Sequence, residues 1–169
     1  MIREILIFLG RSKRLARWAT TMPVARSAAR RFVPGETVDE ALRAARTLQD
    51  AGILVALDFL GEGVTTRAEA ERSAQEYHRM IEHIVAAGMQ ERTYVSLKLT
   101  SMGLDISDEL AEEMLRRIVE HAAQTSPPLY VRVDMEGSAY TQRTLDIFHR
   151  VFADHRNVGI VIQSALLRS

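Results

Sequence analysis

Four side chains suited to chemistry recur along the chain at a spacing that suggests a repeated structural unit. They are Asp58 in "ALDFLG", Lys98 in "SLKLTS", Asp134 in "VRVDMEG" and Gln163 in "VIQSAL". Each falls in or just after a short β-branched, aliphatic or aromatic run, the pattern of a buried strand. Lys98 is the most informative, because the chain has 22 basic residues and only Lys13 and Lys98 among them are lysines. A buried ammonium without a partner loses its charge, its pKa falling by up to about 3 to 5 units. Lys98 therefore needs an acid or works as a neutral amine, and neighbouring strands offer Asp134 first and Asp58 second. It reads as an anchor for a ligand carboxylate or as a catalytic amine, against the plainer reading of an ion pair closing the top of a sheet. Arg132 and Asp134 share one strand face, Val133 and Met135 the other. Gln163 is a neutral hydrogen-bonding group in an apolar run, a pattern that a loop backbone satisfies as readily as a ligand.

The elements that must position these groups follow from periodicity. Thr37-Val38-Asp39-Glu40 has capping-box spacing, and Ala41, Leu42, Ala45 and Leu48 then recur on one helical face until Gly52. A second box, Thr66 to Glu69, opens a helix carrying Ala70, Ala74, Tyr77, Ile81 and Ile84. A third helix, capped by Asp105 or Ser107, carries Leu110, Met114, Leu115 and Ile118, and "TQRTLDIFHRVFADH" reads as a fourth. Four strand runs alternate with these helices. The intervals between the four polar residues are 40, 36 and 29, each long enough for one helix and two loops. The strands should therefore be parallel and joined by crossovers. That order places all four polar groups at one rim, the ligand-binding end of a β/α barrel or of an open doubly wound sheet.

Composition narrows the class. At 169 residues, with 22 basic and 22 acidic side chains, the chain is large enough for one cored domain. Residues 1–31 hold eight basic side chains and one acid, so 1–35 reads as a basic helical arm and 36–169 as the folded region. No apolar run approaches the roughly 20 residues of a membrane span. The absence of cysteine removes disulfides and thiolate chemistry and fits a reducing compartment. Balanced charge argues against a nucleic-acid surface. There is no G-x-G-x-x-G, no G-x-x-x-x-G-K-[ST] and no H-E-x-x-H. The five histidines read as surface residues of helices rather than as metal ligands.

"RFVPGETVDEAL", "LDFLGE", "VSLKLTSMGLD", "VRVDMEGSAYTQ" and "VGIVIQSALLR" occur in that order and resemble the bacterial monofunctional proline dehydrogenases. The resemblance runs from Arg31 onward. It implies an α/β fold of the (β/α)8 TIM-barrel type, of which these residues hold about the first four β/α units. It further implies FAD bound without a Rossmann motif and oxidation of L-proline to Δ1-pyrroline-5-carboxylate, the first step of proline catabolism. On that resemblance Lys98 binds the proline carboxylate, Asp134 is the active-site aspartate, and Met135 and Gln163 touch the flavin. Glu62 resembles an acid that gates the substrate. Quinone or another acceptor would reoxidise the flavin, in a cytoplasmic protein with peripheral contact at the inner membrane.

The family's barrel is nearly twice as long as this chain. The expectation is therefore a half-barrel with little activity alone, self-associating through exposed sheet edges and an exposed apolar inner face. Two other classes stay open: a Schiff-base aldolase using Lys98 as nucleophile, and a non-catalytic half-barrel that only associates.

Overall fold

The computed structural model describes residues 37–61 and 63–164. The arm at 1–35 and Glu62 lie outside the described residues. The chain divides into two compact units, 1–41 and 42–169, and the sheet belongs to the second. In chain order the elements are α1 (Val38–Asp50), β1 (Val55–Asp58), α2 (Arg67–Ala86), β2 (Thr93–Leu97), a 3-10 turn (Thr100–Met102), α3 (Asp108–Ala123), β3 (Val131–Val133), α4 (Thr141–Asp154) and β4 (Val158–Ile160). The alternation expected from periodicity is present. The strands form one parallel sheet in the order β1-β2-β3-β4.

Register explains why the two faces differ. Leu57, Val95, Val131 and Val158 form one cross-strand row, with Leu97, Val133 and Ile160 above it. These side chains pack under α2, α3 and α4, whose Tyr77, Ile81, Ile84, Met114, Leu115, Ile118 and Ile147 are fully buried. By strand alternation the opposite face carries Asp58, Ser96, Arg132 and Gly159 in register. The open face thus carries a polar row where an apolar face was expected, with Ala56 and Tyr94 in register beside it and Tyr94 meeting Tyr130 edge-on. The branched aliphatic residues of each strand point to the helix side, and the other parity adds Ala56 and Tyr94 to the charges, the serine and the glycine.

Local signals set the ends of the helices. Thr66 accepts from Glu69 N while the Glu69 carboxylate accepts from Thr66 N at 3.1 Å, completing the capping box of α2. Ser107, not Asp105, caps α3 through Leu110 N at 3.1 Å. Gly103, with φ +92°, turns the chain between the 3-10 turn and α3. A Cβ there would lie 2.7 Å from Leu110 Cδ2.

Candidate active site

The strands are shorter than the apolar runs imply, and this places the polar groups on the rim. Asp58 is the last residue of β1, Lys98 and Asp134 directly follow β2 and β3, and Gln163 lies three residues beyond β4. Lys98 is therefore not inside a strand. Its side chain is about one-third exposed, and its ammonium pairs with Asp58 Oδ2 at 2.8 Å. The hydrogen bond it donates to Asp58 raises its pKa above the ordinary lysine value, burial opposes this, and the charges of Asp58, Asp134 and Glu136 reinforce it.

The partner differs from the first expectation. Asp134 does not hold Lys98. Its Oδ1 accepts from Ser96 Oγ at 2.8 Å and lies 3.3 Å from Arg132 Nε. Arg132 stands two residues earlier on the same face of the same chain segment, so it reaches Asp134 without crossing the sheet. Asp58 is in register with Ser96 on β2 and faces the same side as Lys98, two residues further on. Arg132 also donates to the Tyr94 hydroxyl at 3.1 Å, which joins Tyr94, Arg132, Ser96 and Asp134 into one network on the open face.

The rim has two further fixed points. Glu136 accepts from the Thr100 backbone N–H at 3.0 Å and from the Thr100 hydroxyl, so the loop after β3 holds the turn that follows Lys98. Gln163 donates its side-chain amide to the Met135 carbonyl at 2.9 Å. Met135 is buried while the Gln163 side chain is exposed. The structure thus joins Asp58 to Lys98, Ser96 and Arg132 to Asp134, and Met135 to Gln163. Glu62 lies outside the described residues.

Sequence reasoning missed Ser96, Tyr94, Glu136 and Tyr77. Tyr77 was hidden in an apolar helical stripe, where the signal is a phenol whose hydroxyl must find a partner when buried. Glu136 lies three residues beyond the end of β3, a position that suits capping the neighbouring turn. Among the described residues no group of three or more His, Asp or Glu side chains is arranged to hold a metal ion. None of the described helices is long and apolar enough to cross a membrane.

The family model for proline dehydrogenase matches residues 41–169. Proline dehydrogenase 1 of Bacillus subtilis (strain 168) is 36% identical over 169 residues, covering all of this chain and 54% of its own length. Proline dehydrogenase of Deinococcus radiodurans is 35% identical over 147 residues, 83% of this chain and 46% of that protein. Among solved structures, proline utilization A (PutA) from Bdellovibrio bacteriovorus, inactivated by N-propargylglycine, matches with a TM-score of 0.74 at 20% identity. That match covers 91% of this chain and 18% of the other, and it speaks for the fold alone. The chain spans about half the length of the curated proline dehydrogenases it matches. With both the family model and a full-chain relative in agreement, the chain belongs to the proline dehydrogenase family.

Proposed function

We propose that these residues form one side of a site that oxidises L-proline to Δ1-pyrroline-5-carboxylate with FAD as the acceptor. The observation that carries this reading is the Lys98–Asp58 pair at the rim, with Lys98 held charged beside Asp134. An ammonium whose charge Asp58 favours, on a side chain about one-third exposed, can accept a carboxylate while Asp58 keeps it in place. Asp134, fixed by Ser96 and Arg132, presents a carboxylate one strand away, where it would face the positive charge that builds on the substrate nitrogen. Holding the substrate by its carboxylate puts the carbon next to that nitrogen at a defined place, and such positioning is a large share of catalysis.

The rim also suits the polar edge of a flavin ring. Gln163 has its amide group oriented by the Met135 carbonyl while its side chain stays exposed, a neutral donor and acceptor of the kind such an edge needs. When bound, FAD would take the hydride from proline. Glu62 is proposed as the gate over the substrate. Quinone as final acceptor, peripheral membrane contact through the arm at 1–35, cytoplasmic location and self-association through β1 and β4 belong to the same proposal.

The raised pKa of Lys98 counts against the aldolase reading, since a Schiff-base lysine needs a depressed one. The test is to incubate the chain with FAD, remove free cofactor, and add L-proline without oxygen. A retained flavin band that bleaches with L-proline, and fails to bleach in Lys98→Ala, is expected, with small amplitude for residues that span half of their relatives. Borohydride trapping of a carbonyl compound on Lys98 would overturn the proposal in favour of a Schiff-base enzyme.

A further inference from the structure

Tyr77 lies on the apolar face of α2 and is fully buried. Its ring meets Phe59 edge-on, with centroids 6.4 Å apart. Its hydroxyl lies where β1 and β2 part. Ladder bonds in a parallel pair recur every second residue along a strand. The series that starts with Val55 N–H donating to Arg92 O at 3.0 Å would reach, at the strand ends, a bond from Phe59 N–H to Ser96 O. The tyrosine hydroxyl takes that place. Phe59 N–H donates to it at 3.3 Å, and it lies 3.0 Å from Ser96 O and 2.8 Å from Asp58 Oδ1. A hydroxyl has one proton and two lone pairs, so Phe59 N–H is accepted while the proton is divided between carbonyl and carboxylate. The other oxygen of Asp58, Oδ2, holds Lys98.

We infer that Tyr77 is a positioning residue: its hydroxyl, inserted between the ends of β1 and β2, fixes the Asp58 carboxylate so that Oδ2 meets Lys98. This rests on the reading of Lys98 as the anchor for the substrate carboxylate, because that is the group being aimed. Burial and the charge of Asp58 push the phenol well above its ordinary pKa, so it remains a donor throughout the working range. A purely structural tyrosine would supply its ring to the core and leave Lys98 indifferent to the hydroxyl.

The chain has two lysines, so uniform 13C-lysine labelling gives two Cε resonances to follow with pH. Lys98 is titrated in the unaltered chain, Tyr77→Phe, Asp58→Asn and the double variant. Asp58→Asn should lower the Lys98 midpoint by roughly one unit or more. Tyr77→Phe should lower it part of the way and add nothing when Asp58 is already Asn, since coupled residues fail to add. An unchanged midpoint in Tyr77→Phe, or an equal shift with and without Asp58, overturns the inference. Should Tyr77→Phe fail to fold, amide exchange in the unaltered chain decides. Phe59 N–H should exchange at least about tenfold more slowly than Leu60 N–H, and equal rates reject the inserted hydroxyl. Neither readout involves turnover. Failure of L-proline to bleach a bound flavin would therefore reject the proposed function and leave the role of Tyr77 standing.

Discussion

At the scale of single residues, the pairing of Lys98 with Asp58 has a pH signature. The folded-state pKa of Lys98 is raised above 10.5 by the Asp58 hydrogen bond. Its contribution to stability is therefore fully present below the unfolded value and is lost as pH rises through the folded one. The difference in urea midpoint between the unaltered chain and Asp58→Asn should shrink from pH 8 to pH 11; a constant difference would show that the pair is not what the substitution removes. A second pair behaves oppositely. His78 and His121, on α2 and α3, meet Nδ1 to Nδ1 at 2.8 Å, so one nitrogen donates and the other accepts. Burial lowers the pKa of His78 from 6.5, the charges of His121 and Arg117 add to this, and Glu82 opposes it. The unfolded chain thus takes up the proton first, and this contribution, complete above pH 6.5, falls as pH drops through the folded value. Denaturation at pH 7 and pH 5 should show a steeper loss in the unaltered chain than in His121→Gln, and parallel losses would exclude the pair. Residue types and parity marked Lys98, Asp58, Asp134 and Gln163 in advance. The choice between Asp58 and Asp134 needed register, which a single sequence does not carry.

At the scale of elements, capping residues and one glycine set boundaries that periodicity alone misplaces. The apolar runs extend through Leu99 and Ile162, so β2 and β4 read as longer than they are. Leu99 is fully buried, but it starts the 3-10 turn rather than prolonging the ladder. Its carbonyl accepts from Leu104 N at 3.0 Å, a bond that closes the turn on itself. The starts of α2 and α3 were easier to read, because a capping threonine or serine works through its own nearby backbone. Ser107→Ala removes the acceptor for Leu110 N and should cost about 1 kcal/mol in urea denaturation. Gly103→Ala combines a left-handed φ of +92° with a contact 2.7 Å from Leu110 Cδ2. It should cost about 1 to 3 kcal/mol, more than the cap. A Gly103→Ala chain as stable as the unaltered one would mean that the turn relaxes without disturbing α3.

At the scale of the whole sheet, what governs behaviour is where backbone and apolar groups remain uncovered. Among the described residues, β1 and β4 each pair on one side only. The open face between them carries a bonded polar row beside Ala56 and Tyr94, so its burial would gain less than that of a wholly apolar face. The edges differ. Ile53 and Leu54 precede β1 and Leu60 follows it, all strongly exposed, and Ile162 follows β4. Unpaired backbone flanked by exposed aliphatics is the usual template for strand addition. Two copies related by a two-fold axis along the strands could pair β4 of each with β1 of the other and keep every strand parallel. Sedimentation velocity should then show a coefficient that rises with concentration. Ala56, on the open face of edge strand β1 and in register with Tyr94, gives a way to block this, because an inward-pointing charge disfavours edge pairing. Ala56→Lys should sediment as a monomer over the same range. Equal association in both chains would place the contact away from β1, and a monomer at every concentration in the unaltered chain would show that neither edge templates pairing.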